Sequence, residues 1–262
     1  MGVQEVKVGS DRVEVAVIGA GVVGLAVGRS LAEQGLDVAV LERNVRPGQE
    51  TSSRHSGVLH AGLYYPTGSL KARLCVSGRR RLVAFCELHG VPHAICGKVI
   101  VATTTAEEAQ LHRLLRQGLD NGVEGLELIT GAQVRQREPH VRAVAGLLSR
   151  ATGIVSSDDL VAALERSVLA HRGLVLPGTE VVGIEPRGDH WTIAVQPLRG
   201  PLHTFEVGQI VNAAGLGAAA VAALAGEDDL EVHYCKGDYF WTTREVVGGL
   251  VYPVPEAGLK GL

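Results

Sequence analysis

The sequence predicts an α/β protein, a Rossmann-like domain built on a βαβ unit and interleaved with an α+β domain. Three observations carry this. A buried-strand pattern at 13–18 (VEVAVI) runs through a glycine turn into a helical apolar pattern. A second strand, LDVAVLE at 36–42, ends on an acid. A late segment, GQIVNAAGLGAAAVAALAG at 208–226, repeats the order of strand, glycine turn and alanine-rich helix.

Taken in order, the helix at 22–34 stops at Gly35, just past its last apolar turn. After Glu42 no second helix follows at once. Residues 43–69 read as a long loop, and long loops without regular structure are often functional. A helix resumes over 70–89. KVIVATT (98–104) reads as a strand, 106–121 as a helix with an acidic first turn, and GAQVRQREP (131–139) as a short helix halted by Pro139. An amphipathic helix with acids at its start covers 158–171, and LVLPGTEVVGIEP (174–186) and HWTIAVQ (190–196) read as strands.

The glycine turn, VIGAGVVGLAVG, spaces Gly19, Gly21 and Gly24 as GxGxxG. The first permits the sharp turn, the second lets a pyrophosphate approach the backbone, and the third lets helix and strand pack closely. Glu42, at the end of the second strand, is placed to accept hydrogen bonds from ribose hydroxyls, and its charge disfavours a 2′-phosphate. NAD and FAD both fit so far. The loop after Glu42 favours FAD, because an extended flavin dinucleotide needs further close backbone approaches, which this loop and NAAG (212–215) supply. Thr51, Ser52 and Ser53, following Gly48, are candidates for bonds to the pyrophosphate or flavin; a polar surface loop is the alternative.

The chain has 262 residues, 46% hydrophobic and 20% charged, with a formal charge of −3 and no long basic run, so nothing marks a nucleic-acid footprint and a small-molecule partner is expected. Cys75, Cys86, Cys96 and Cys235 lack ligand-like spacing, which predicts buried reduced thiols, no metal site and a cytoplasmic location. No export signal or membrane-spanning run is legible.

With these residues in hand, the chain resembles the FAD-dependent oxidoreductases of the D-amino-acid-oxidase-like superfamily, and within it the L-2-hydroxyglutarate dehydrogenase/oxidase family. The matching pieces are VIGAGVVGLAVGRSLAEQGLDVAVLER, SGVLHAGLYYPTGSLKARLCVSGRR, CGKVIVAT, EPHV, TGIVSSDDLVAAL, VNAAGL and KGDYF followed by GLVYPVP, in family order across nearly the whole chain. The resemblance implies FAD as cofactor, held also by Arg43, Val181, Ala214 and Gly215, and oxidation of an L-2-hydroxy acid by hydride transfer to flavin N5, with a quinone or oxygen as electron acceptor. Where that family commonly has histidine then asparagine before SG, this chain has Arg54 and His55, which leaves the substrate open.

Such chemistry needs a base for the hydroxyl proton, and a neutral histidine suits it. His60 is the candidate, with a packing histidine as the alternative and His55 as the weaker choice. Arg54, Tyr64, Lys71, Arg73 and Lys236 are candidates for the substrate carboxylates, each equally readable as a solvated surface group. An amine or amino-acid oxidase is the alternative activity, and a flavin-binding fragment completed by another chain is the alternative of a different kind.

The expected FAD-binding domain covers 11–90 and 150–226, and the expected substrate domain covers 91–149 and 227–262. By the resemblance, the chain stops within the sheet of the second domain, which predicts self-association through an incomplete edge. Peripheral membrane association stays open.

Overall fold

The computed structural model describes residues 12–240, 242–244 and 247–255. Residue 11, most of the stretch read for an export signal, and residues 256–262, which bear on the expectation of an incomplete sheet, lie outside the described residues.

The chain opens with β1 (Arg12–Ile18), α1 (Val22–Ala32) and β2 (Val38–Glu42). There follow β3 (Val58–Leu59), α2 (Leu70–His89), β4 (His93–Ala94), β5 (Lys98–Ala102), α3 (Thr105–Asp120), β6 (Leu126–Thr130), α4 (Gly131–Arg137), β7 (Ala145–Ser149) and β8 (Gly153–Val155). Next come α5 (Ser157–Ala170), β9 (Leu174–Pro177), β10 (Thr179–Arg187), β11 (His190–Pro197), β12 (His203–Asn212), α6 (Ala218–Leu224) and β13 (Leu250–Pro253).

Two compact units result. The first comprises the described residues up to His55 together with Ser157–Gly237. Its six-stranded sheet has the order β10-β11-β12-β1-β2-β9; β12, β1, β2 and β9 are parallel, while β10, β11 and β12 form an antiparallel meander. The middle strands are apolar nearly throughout because both faces are covered: all five residues of β2 are buried, and Ala16, Ile18, Leu41, Ile193 and Val207 share one core cluster. Gly28 sets how closely α1 lies on the sheet, since a β-carbon there would sit 2.6 Å from a Val40 methyl.

The second unit comprises Ser56–Ser156 and the described residues from Asp238 onward. Its four-stranded mixed sheet has the order β13-β5-β7-β6, and β3, β8 and β4 form a small antiparallel sheet. The core gathers Leu63, Ile100, Leu111 and Leu147.

The division falls at 55/56, 156/157 and 237/238 instead of at 90/91, 149/150 and 226/227. The reason is pairing partners that are remote in sequence. β8 pairs with β3 and β4, and Cys75 on α2 donates its thiol proton to the His60 carbonyl (3.3 Å), which draws 56–90 and 150–156 into the second unit. Beyond α6, the Tyr234 hydroxyl donates to the Leu216 carbonyl (3.2 Å), keeping that stretch with the first.

Of the four thiols expected to be buried, Cys86 is buried and Cys75 half-buried, but Cys96 and Cys235 are exposed; none is in a disulfide. Among the described residues, no helix is long and apolar enough to cross a membrane.

Candidate active site

The glycine turn joins β1 to α1. A β-carbon on Gly24 would overlap the Gly19 carbonyl oxygen, and one on Gly19, at φ +104°, would lie 2.5 Å from that of Ala213. Only glycine permits both the turn and this contact with the end of β12. The α1 cap, Gly21, offers no side-chain oxygen to the first-turn amides; Ser52 partly replaces it, its Oγ accepting from Val22 N–H at 3.0 Å. Glu42 is buried, with Ala20 N–H donating to Oε2 (2.9 Å) and the Asn44 amide and side chain donating to Oε1 (2.8 and 2.9 Å). The turn and the second strand's terminal acid are thereby locked together.

These groups line a cavity of about 650 Å³ in the first unit. Of the cofactor-site candidates, Gly19, Gly21, Glu42, Arg43, Thr51, Ser52, Val181, Ala214 and Gly215 all reach it. Gly24 acts behind it through packing. Ser53 does not line it, and its hydroxyl donates to the Glu50 carbonyl instead (3.1 Å). Arg43 is occupied at the rim, its Nη2 3.0 Å from Glu50 Oε1; hydrogen bonds from Asn44 and then Arg43 hold the Glu50 carboxyl below its usual range. The sequence reading missed Glu50, and also Val182. A β-bulge between Val181 and Gly183 lets both neighbouring valines face the cavity, which a regular pleat forbids.

The cavity fits a flavin dinucleotide. The glycine cradle leaves room for a pyrophosphate where a β-carbon would intrude, a helix N-terminus faces it, the Glu42 carboxylate lines the wall, and exposed Val23, Val182 and Leu216 offer apolar surface for a ring to cover.

The candidate proton-transfer groups lie in the second unit. His60 is half-buried, and burial, then the charges of Lys98 and Lys71, push its pKa below the ordinary histidine value. Tyr64 and Tyr65 sit in a turn and meet different lysines: Lys71 Nζ lies 4.7 Å from the Tyr65 ring centre, and Lys98 Nζ lies 4.3 Å from that of Tyr64. Lys98 is 1% exposed, and Tyr252 covers it from another side at 4.5 Å. Neither its ammonium nor the Tyr64 hydroxyl has a hydrogen-bond partner among the described residues. Burial lowers the Lys98 pKa to about 8 and raises that of Tyr64.

Of the other candidates, Lys71 lies beside Tyr65 and acts on His60. Arg54, Lys71, Arg73 and Lys236 are exposed, and Arg54 and Lys236 belong to the first unit. His55 also belongs to that unit, with its ring Nε2 3.2 Å from Ser157 Oγ. Sequence reasoning missed Lys98; the available signal was a lysine heading the otherwise apolar run KVIVA, all five residues of which are buried.

Glycine cradle, terminal acid and parallel sheet define a dinucleotide-binding α/β oxidoreductase fold. More particularly, the chain belongs to the family described as FAD dependent oxidoreductase, which matches residues 14–261. It is 35% identical to the mitochondrial L-2-hydroxyglutarate dehydrogenase of Arabidopsis thaliana over 97% of this chain and 60% of that protein. It is 30% identical to the L-2-hydroxyglutarate dehydrogenase of Escherichia coli K12 over 94% of this chain and 58% of that one. The chain thus spans little more than half the length of these relatives. Among solved structures, the FAD-bound L-alpha-glycerophosphate oxidase of Mycoplasma pneumoniae matches with a TM-score of 0.82 at 26% identity, covering 95% of this chain and 67% of that one. Glycine oxidase from Geobacillus kaustophilus matches at 0.72 and 27%, covering 82% and 58%.

Proposed function

We propose that this chain carries the flavin-binding and proton-transfer parts of an FAD-dependent dehydrogenase that oxidises an L-2-hydroxy acid, L-2-hydroxyglutarate first among them, to the 2-oxo acid. The observation that carries the reading is His60, a half-buried imidazole kept neutral by burial and by two lysines. A neutral imidazole accepts a hydroxyl proton, and cationic neighbours suit a carboxylate substrate. The substrate class is supported by the L-2-hydroxyglutarate dehydrogenases named above.

In this reading the first unit holds the cofactor. The α1 N-terminus and the glycine turn take the pyrophosphate, Glu42 takes the ribose hydroxyls, and Val181 and Val182 flank the adenine. Bound FAD supplies the oxidant that accepts the carbon-bound hydrogen as hydride, its electrons leaving to a quinone or to oxygen. His60 removes the hydroxyl proton at a ring nitrogen as the carbon–oxygen double bond forms. Lys71 adds positive potential that favours an anionic substrate over a neutral one.

The test is an anaerobic visible spectrum of the purified flavin-loaded chain before and after L-2-hydroxyglutarate, with an L-amino acid as comparison. Bleaching by the hydroxy acid alone is expected. Bleaching by the amino acid alone would overturn the reading in favour of amine oxidation, an outcome motivated by the likeness to glycine oxidase. Flavin colour that neither compound bleaches would overturn the claim for this chain.

A further inference from the structure

Lys98 is the anomaly of the second unit. A lysine is almost never fully buried unless paired, and an unpaired buried charge is costly. Yet Lys98 is 1% exposed, its ammonium has no hydrogen-bond acceptor among the described residues, and two tyrosine rings cover it at 4.3 and 4.5 Å. Cation–π contact stabilises such a charge only partly. The Tyr64 hydroxyl is a second buried polar group without a partner in the same cluster. Both rings belong to half-buried residues.

The position is not one that a packing role explains. The rest of β5 is apolar, and a leucine or methionine would fill the site without the cost of desolvating an ammonium. Two orphaned donors side by side, one cationic and one hydroxyl, have the chemistry of a carboxylate subsite awaiting its anion. The titratable neighbours of Lys98 do not supply that anion: burial raises the pKa of both Tyr64 and Cys75, which keeps them neutral near pH 7, while His60 and Lys71 contribute no negative charge.

We propose that Lys98 and Tyr64 form a specificity site that binds the second carboxylate of a dicarboxylic 2-hydroxy acid, the ammonium exchanging a tyrosine face for a charge-assisted hydrogen bond. The proposal rests on the hydroxy-acid reading and deepens it, because it explains why a five-carbon diacid would be selected over a monoacid of equal length.

The experiment compares binding of glutarate and pentanoate, which differ by one carboxylate, to the flavin-loaded chain by calorimetry. Glutarate is expected to bind about 10- to 100-fold more tightly. Lys98→Met should erase that preference, and Tyr64→Phe should weaken glutarate several-fold. Glutarate should raise the thermal midpoint of the wild type but not of Lys98→Met, whose ligand-free midpoint should be no lower than wild type. The unaltered protein gives an independent readout: glutarate affinity should fall as pH rises above about 8, where Lys98 loses its proton, while pentanoate affinity does not follow that fall. Absence of a glutarate preference in the wild type, or its survival in Lys98→Met, overturns the proposal. Equal oxidation of L-2-hydroxyglutarate and L-2-hydroxypentanoate by wild type would overturn it while leaving the hydroxy-acid reading intact. A Lys98-dependent glutarate preference without oxidation of any hydroxy acid would do the reverse.

Discussion

His60 shows how a single side chain acquires a function from its surroundings. Burial and the charges of Lys98 and Lys71 disfavour the imidazolium, so the neutral, proton-accepting form persists to lower pH than in a free histidine. The unfolded chain binds this proton more readily, so the group's contribution to stability is present above about pH 6.5 and is lost as pH falls through the lowered value. Two results are expected of the flavin-loaded enzyme: the acid limb of the kcat/KM profile lies below about 6.5, and His60→Gln lowers kcat by roughly 10²- to 10⁴-fold with flavin content unchanged. An acid limb at or above that value, or wild-type turnover in the variant, would remove His60 from the role. At this scale the sequence was most informative where chemistry is local. Gly19, Gly21 and Glu42 sit where the spacing put them, because a strand, a tight turn and a helix constrain their own neighbours. Lys98 was harder to read for the opposite reason: its place at the head of an apolar run marks it as odd, but its cover comes from Tyr64 and Tyr252, which lie far from it along the chain.

Among the elements, α3 holds the loop that carries Tyr64. Thr104 caps its N-terminus by accepting from Glu107 N–H, and Glu107 and Glu108 complement the dipole there. Toward its other end, Gln117 and Asn121 are four residues apart and therefore share a face. Gln117 Nε2 donates to the carbonyls of Leu63 and Tyr65, both at 3.0 Å; Asn121 Nδ2 donates to Gly62 (3.0 Å) and Tyr65 (2.8 Å). Four hydrogen bonds thus tie down a turn that forms no ladder of its own. Gln117→Ala and Asn121→Ala are each expected to destabilise the fold by about 1–3 kcal/mol in urea titrations. Each should also reduce kcat/KM for the hydroxy acid without changing the flavin spectrum, since the loop and not the cradle is loosened. Unchanged urea midpoints in both variants would show that the clamp contributes nothing. The helix itself was predicted to within a residue or so, because its apolar period and acidic start are written in it; its clamp was not, because amide side chains on a polar face look like any solvated pair.

The whole molecule is a chain that leaves its first unit at His55 and re-enters it at Ser157. Sequence continuity suggested that α2 and the residues before it stay with the dinucleotide domain; the pairing of β3 with β8 overrides that, because a two-residue strand has no stability away from its partner. The crossing points are close in space, His55 Nε2 lying 3.2 Å from Ser157 Oγ, and no residue lining the 650 Å³ cavity comes from 56–156. Replacing 56–156 with a short glycine-serine linker should therefore leave the six-stranded sheet and the cradle intact. Such a chain is expected to retain FAD, read as visible absorbance co-eluting with folded protein, yet to show no bleaching by any hydroxy acid, because His60 and Lys98 have gone with the excised segment. Retained colour with retained bleaching would place the chemistry in the first unit and remove both residues from it. A folded but colourless product would mean that the cradle depends on groups outside the cavity wall, since every lining residue would still be present.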